Sequence, residues 1–352
     1  MRLLKQVIGI DVAKNELVCC FGVLTEDLKI NLKSNGVFKN QEKGFLKLAK
    51  WAEQHLSDRT EPFFVMEATG VYHEKLAHWL HQRAKNIAIV LPNKISNYAR
   101  TLEVRTITDK TASEAIVRFG LERTLKTWGP PRSIFREMKQ LTREREQIVS
   151  ERTIIKNQLH AENSEAFPNP RSIKRLKKRI GLLNEQEKEI KRELEQLVKA
   201  DQELSRQVAN ITTIPGVGRL TAMVILAETN GFELIQNKRQ MASYAGLDVR
   251  EKQSGTSVKG KPRISKKGNR YLRKAVHLPA LTAIKHCEQY KGTYARLVAR
   301  HGIKMKAVVA IQRKLLELVY IVYKNNTVFD TEYEEKRKAL LNNAEPLESS
   351  LC

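Results

Sequence analysis

Three carboxylates in the first third of the chain stand where acids can work on phosphate esters. Asp11 closes the apolar run VIGID, Glu67 closes FVME, and Asp109 opens TDKTASEAI. In an open α/β sheet, functional groups gather outside the carboxyl ends of the strands. Acids placed there can hold Mg²⁺ (or Mn²⁺), since Mg²⁺ takes oxygen ligands and keeps waters for contact with phosphates. Two such ions about 3.5–4 Å apart would stabilise both the attacking and the leaving oxygen of a phosphoryl transfer. A single strand-end acid is more often an ordinary cap or turn residue; two of them after similar apolar runs bring the two readings about level. Asp109 has a structural alternative of its own. Thr108 or Asp109 reads as the N-cap of a helix, with Glu114 in its first turns favoured by the helix dipole.

A second group of residues suits phosphates by charge. REKQSGTSVKGKPRISKKGNRYLRK, from Arg250 to Lys274, carries ten Lys or Arg against one acid. The ten are Arg250, Lys252, Lys259, Lys261, Arg263, Lys266, Lys267, Arg270, Arg273 and Lys274, and Gly255, Gly260 and Gly268 interleave with them. Clustered cations on backbone that can approach closely are a phosphate-binding combination, or else a flexible basic loop. TTIPGVGRLTA, from Thr212 to Ala222, has the form of a hairpin between helices. Gly216 and Gly218 would let backbone N–H groups reach a phosphate there, with a plain Pro-Gly turn as the equal alternative. His73, His78 and His81 share a helical stretch, but no cysteine or acid completes a zinc set with them. Cys19 and Cys20, adjacent in a strand, point to opposite faces.

These residues need elements to position them. QVIGIDVA, ELVCCFGVL, PFFVMEATG and NIAIVLP read as strands, and KGFLKLAKWAEQHL and YHEKLAHWLHQRA as helices. That alternation predicts an α/β domain with a mixed or parallel sheet over residues 1–130. After WGPP the pattern changes. Met138, Leu141, Arg145, Ile148, Arg152, Ile155 and Leu159 step by three and four, and after FPNPRS so do Leu176, Ile180, Leu183, Glu187, Ile190, Leu194 and Leu197. Two long helices with coiled-coil seams, joined by a Pro-containing turn, are expected over 131–205. Their role would be to space two domains or to dimerise. RSIKRLKKR, six cations between Arg171 and Arg179, is either a solvated face or a nucleic-acid contact. A mostly helical domain is expected over 206–328 and a polar tail over 329–352.

The chain has 352 residues and a formal net charge of +24. So large an excess points to a polyanionic partner. A polybasic membrane-surface protein would need an amphipathic basic helix with an aromatic face, and the chain has no long apolar span. No signal-peptide layout opens it, and its four cysteines show neither metal spacing nor a disulfide framework. A reduced, cytoplasmic protein without membrane contact is expected.

Taken in order, IGIDVAK, MEATGVYH, TDKT-x-SEA, WGPPR, IPGVG, YAGL, QSG and ISKKGNRYLRKA resemble the IS-one-ten family of insertion-sequence transposases, which includes the Piv-type DNA invertases. The resemblance spans most of residues 5–320. It implies a RuvC-like (ribonuclease-H-like) α/β domain carrying an Asp-Glu-Asp-Asp set, followed by the coiled-coil hairpin and a C-terminal Tnp domain. Asp11, Glu67 and Asp109 match the first three acids. The fourth position holds Ala112, which keeps the helix and deletes one ligand; Glu114 points about 200° away from that position around the helix. The resemblance also implies a Tnp-domain serine that forms a phosphoserine link to DNA. Ser254 in QSG is the match, with Ser257 as the fallback and Ser265 and Ser243 behind it. Target and donor DNA, a structured guide ("bridge") RNA, a homo-oligomer (dimer or tetramer) and a bacterial, nucleoid-associated setting complete the expectation. A metal-only junction nuclease and a non-catalytic, nucleic-acid-binding degenerate transposase are the alternatives.

Overall fold

In the computed structural model the described residues are 2–330, apart from 57–60, 69, 103–105, 107, 131, 234, 252, 255–257 and 261–262. At 93, 253, 254, 258 and 259 the description is of the backbone alone. The chain forms two compact units, Met1–Pro130 and Pro131–Cys352.

The first unit is built on β1 (Leu3–Val12), β2 (Glu16–Thr25), β3 (Ile30–Lys39), β4 (Phe63–Glu67) and β5 (Asn86–Val90), in the order β3-β2-β1-β4-β5. β1, β2 and β3 are antiparallel neighbours, and β4 and β5 continue parallel to β1, so the sheet is mixed. Helices α1 (Glu42–His55) and α2 (Glu74–His81) bury Phe45, Leu48, Leu76 and Leu80 on one face, against Ile8, Ile10, Phe21, Phe64 and Met66. Helices α3 (Pro92–Ala99) and α4 (Asp109–Glu122) cover the other, packing Ile95, Ile116, Val117 and Leu121 against Val7, Cys20, Val65 and Ala88. Cys19 and Cys20 accordingly fall into opposite cores. His78 and His81 both set their rings edge-on to Trp128.

The second unit opens with α5 (Ser133–Asn163) and α6 (Pro170–Ala200), two helices of 31 residues each. They run antiparallel, since Arg145 meets Glu187 while Arg152 meets Asn184. Met138, Ile148, Ile155, Leu183, Ile190 and Leu194 of the expected seams are buried. Asn169 starts α6 by accepting from the Arg171 and Ser172 N–H groups, with Pro170 in the first helical turn, where no N–H is missed. Then follow α7 (Gln202–Thr212), α8 (Arg219–Thr229), α9 (Lys238–Tyr244), the two-residue strands β6 (Val249–Arg250), β7 (Gln253–Ser254), β8 (Val258–Lys259) and β9 (Arg263–Ile264), and α10 (Arg270–Ala275), α11 (His277–His286), α12 (Glu288–His301) and α13 (Lys304–Asn325). One hydrophobic core joins α5 and α6 to these later helices. No described helix is long and apolar enough to cross a membrane.

Candidate active site

Strand register brings the first two acids together. β1 and β4 are parallel neighbours with Ile10 opposite Met66, so Asp11 and Glu67 follow side by side at the carboxyl edge of the sheet. Ile10 and Met66 belong to the α1–α2 core, while Val7 and Val65 belong to the α4 core. Side chains alternate along a strand, so Asp11 and Glu67 both face the α4 side. Helix α4 begins there. Its N-cap is Thr108, whose Oγ1 accepts from the Thr111 N–H at 3.3 Å while the Thr108 N–H donates to Thr111 Oγ1 at 2.8 Å. With the cap supplied by threonine, Asp109 is the first helical residue and its carboxyl is exposed.

Electrostatics shows that the three acids share one field. Asp11 is half-buried and its carboxyl is pushed up to about 6, first by burial, then by the charges of Asp109 and Glu67, against a hydrogen bond from the Val12 backbone that favours the charged form. Among the described residues, however, no three His, Cys, Asp or Glu side chains are drawn together tightly enough to enclose a metal ion. The donor set fits a hard divalent cation by chemistry, being all carboxylate oxygen in a field a cation would relieve. Ala112 is half-buried on α4, within about 60° of Asp109 around the helix. Glu114 lies elsewhere: its charge acts on the Cys20 thiol, which burial and then Glu114 push up to about 12 against Arg118 and Lys110.

The sequence reading missed the residue that seats α4. Gly9, two positions before Asp11, lies directly under the helix backbone: a Cβ there would stand 2.6 Å from Val117 N and 2.7 Å from Ser113 O. A glycine in an apolar strand is the signal for such a close backbone approach.

The basic stretch folds as a β-ribbon, with β6 paired to β9 and β7 to β8. Ser254 sits on β7, its backbone opposite Val258. Ser257, Lys252 and Lys261 lie outside the described residues, and Lys259 is described by its backbone only. Arg250, Arg263, Lys266, Lys267 and Arg270 are exposed. Arg273 and Lys274 have structural work: Arg273 Nη1 donates to Ala245 O at 2.8 Å and Gly268 O at 3.1 Å, and Lys274 pairs with Glu146. Ser265 donates to Asp248 Oδ1 at 2.6 Å, while Ser243 is exposed on α9.

The root of the ribbon is held by a second residue the sequence reading passed over. Glu228, 1% exposed on α8, accepts from Arg143 Nε at 2.8 Å, Arg143 Nη2 at 3.1 Å and Asn269 Nδ2 at 2.6 Å. Asn269 in turn caps α10, accepting from the Tyr271 and Leu272 N–H groups. The signal was an acid inside the apolar run MVILAET. Of the two hairpin glycines, Gly216 has φ +84° and presses on α11, where a Cβ would meet Pro279 O at 2.4 Å. Its need for glycine is thus met within the fold. Gly218 is the N-cap of α8 and opens onto free space.

Comparison with known proteins assigns the class. A family model described as "Transposase", that of the DEDD transposases of the IS110 type, matches residues 8–168, and that of the "Transposase IS116/IS110/IS902 family" matches residues 208–295. Between them these stretches take in well over half of the chain, which is therefore a member of the transposase class. The pilin gene-inverting protein of Moraxella bovis is 29% identical over 332 residues, covering 94% of this chain and 99% of that one. The transposase for insertion sequence element IS1328 of Yersinia enterocolitica is 28% identical over 222 residues, covering 54% of this chain and 64% of that one. The chain belongs to the IS110 ("IS-one-ten") family of transposases. Among solved structures, T. thermophilus RuvC in complex with Holliday junction substrate matches 35% of this chain and 99% of its own, at 12% identity and a TM-score of 0.27. At that score the likeness adds nothing to the sheet order itself.

Proposed function

We propose that the chain cuts and rejoins DNA strands, with Asp11, Glu67 and Asp109 as ligands of a divalent cation, Mg²⁺ or Mn²⁺, and Ser254 as the nucleophile. The observation that carries the reading is the shared field at the sheet edge, where burial, Asp109 and Glu67 raise the Asp11 carboxyl to about 6. Acids from three elements whose charges act on Asp11 suit a site for a cation. When bound, such an ion supplies Lewis-acid stabilisation of charge on the phosphate.

In the proposed step a bond forms between Ser254 Oγ and phosphorus as one P–O bond of the DNA backbone breaks. The proton of the serine hydroxyl ends on the departing deoxyribose oxygen. The phosphate is kept as a serine ester, so a hydroxyl of a second strand can reverse the exchange without ATP. Arg250, Arg263, Lys266, Lys267 and Arg270 offer charge to the DNA backbone beside it. The reading extends to target and donor DNA as partners, to a structured guide RNA, and to a dimer or tetramer in which one subunit's acids serve another's serine. It also makes α5 and α6 a coiled coil that serves assembly and places the protein at the bacterial nucleoid. The +24 charge and the family membership support it.

Ser254→Ala is expected to abolish the protein–DNA adduct on denaturing gels run after incubation with Mg²⁺, substrate DNA and the RNA that copurifies. An undiminished adduct would overturn the serine. Cleaved DNA with no adduct in either protein would favour direct, metal-dependent hydrolysis.

The alanine at the fourth acid position favours a second reading, a transposase that binds but cuts poorly. Ala112→Asp is then expected to raise strand exchange by about tenfold or more, since even groups behind the metal ligands are worth about 10–100-fold. Equal exchange by both proteins would show that three acids suffice.

A further inference from the structure

The hairpin tip between α5 and α6 carries a combination that the proposed chemistry leaves unused. Arg171, Lys174, Arg175 and Lys178 are spaced i, i+3, i+4, i+7 and form one stripe on α6. All four are exposed, and the stripe lies on the opposite side of the helix from the seam residues Leu176, Ile180 and Leu183. Among the described residues none of the four has an acidic partner; of the six cations in this segment only Arg179 pairs, with Glu151 at 3.7 Å. The nearby acid Glu162 is spent internally, accepting from the Asn169 N–H at 3.0 Å and from Ser172 Oγ at 3.1 Å. Glu165 is the other acid of the turn.

Phe167, in the turn that leads into this stripe, is 92% exposed. It is followed by Pro168, Asn169 and Pro170, and the Asn169 cap and the Glu162 bonds fix the turn that presents it. A hollow lined by Asn163, Pro168, Ile173, Lys174 and Lys177 opens at the same place. An aromatic ring held out in water gains little by being there, and most of the chain's other phenylalanines are at least partly covered. A ring next to unneutralised cations is the pairing by which proteins grip single strands: the base stacks and the phosphates follow the charge.

We propose that the hairpin tip docks an unpaired stretch of DNA, stacking a base on Phe167 and running its phosphates along Arg171, Lys174, Arg175 and Lys178. The inference rests on the reading that the protein acts on DNA, but not on its cleavage chemistry. A base inside a duplex is already stacked on both sides, so an exposed ring selects unpaired bases.

The test uses the full chain and fluorescent oligonucleotides, either fully paired or with an unpaired segment. Phe167→Ala is expected to weaken binding to the unpaired DNA about tenfold, with little effect on the duplex. The fourfold variant Arg171→Gln, Lys174→Gln, Arg175→Gln, Lys178→Gln is expected to lower the slope of log affinity against log salt by about 3, from about 0.7 per phosphate lost. All five positions are exposed, so unchanged thermal melting should accompany both results. Equal losses on paired and unpaired DNA, or no loss in either variant, would overturn the proposal. So would a tip-dependent preference for an unpaired RNA of the same sequence, which would assign the surface to RNA. Binding is read without a divalent cation, where no strand is cut, so failure of the cleavage reading and failure of the tip proposal can be told apart.

Discussion

Glu187→Ala is expected to cost about 3–5 kcal/mol of stability, the usual consequence of stripping one partner from a buried ion cluster. Glu187 is the polar exception in the α6 seam, and Arg145 and Arg152 are the polar exceptions in the α5 seam. The three meet. Arg145 Nη2 donates to Glu187 Oε1 at 2.7 Å, Arg152 Nη1 donates to Glu187 Oε2, and Lys191 adds an ion pair at 2.9 Å from the next turn of α6. The Glu187 side chain is 8% exposed. Burial alone would raise its carboxyl, but hydrogen bonds from Lys191, Arg152 and Arg145 overcome that and hold it at about 2.

A carboxyl held below its unfolded value of 4.5 stabilises the fold fully above that value. The contribution is lost as pH falls from about 4.5 toward 2. Glu187→Gln should therefore flatten that part of the acid-denaturation curve, in addition to lowering the urea midpoint at neutral pH. Replacing all three, by Glu187→Leu with Arg145→Met and Arg152→Met, is expected to restore stability or exceed it, as apolar packing of similar volume often does. If the single alanine variant lost less than about 1 kcal/mol, the cluster would be no stronger than a surface ion pair. The cluster also favours this register of α5 on α6, because sliding either helix by a turn would part Glu187 from one of its two arginines.

The two long helices were legible because apolar residues recur at helical spacing along most of their 31 residues each. Their polar breaks were visible too, but a one-dimensional pattern does not say that a break in one helix lies opposite a break in the other. β3 was passed over for a related reason. INLKSNGVFK alternates partly buried and exposed positions and carries Ser, Asn, Gly and Lys, residues uncommon in strands. α3 was hidden behind an apolar run ending in Pro92, which closes the strand and opens the helix at once. The ribbon of β6–β9 read as a loop because its strands are two residues long.

The site was legible in proportion to how local its signals are. Asp11 and Glu67 follow apolar runs, so their strand-end positions could be read directly. Asp109 could not be told from a cap until Thr108 proved to fill that role. Glu228 and Gly9 act through elements distant in sequence, and nothing near either one names its partner.

Gly9→Ala is expected to disturb the site more than its size suggests. The added Cβ would meet Val117 N and Ser113 O, backbone atoms that cannot swing aside, as well as Val117 Cγ2 at 2.7 Å. The helix must therefore lift from β1, at a cost of about 1–3 kcal/mol for overpacking. Its C-terminal end is tied down, because Lys5 Nζ donates to Gly120 O at 2.6 Å and to Arg123 O at 2.7 Å. The strain is thus released toward the N-terminal end, where Asp109 begins the helix. A displacement of about 1 Å there can cost about 100-fold in a reaction that depends on position. Mn²⁺ affinity, measured by calorimetry, should accordingly fall by about 10–100-fold, as it does when the groups that orient metal ligands are removed. Gly120→Ala is the matched control. Its Cβ would press on Val7 Cγ1 at 2.8 Å and Val65 Cγ2 at 3.1 Å, side-chain atoms at the tethered end. It should lose comparable stability yet keep most of the Mn²⁺ affinity. If the two variants lost stability and metal affinity in the same proportion, Gly9 would serve the packing of α4 and not the placement of Asp109.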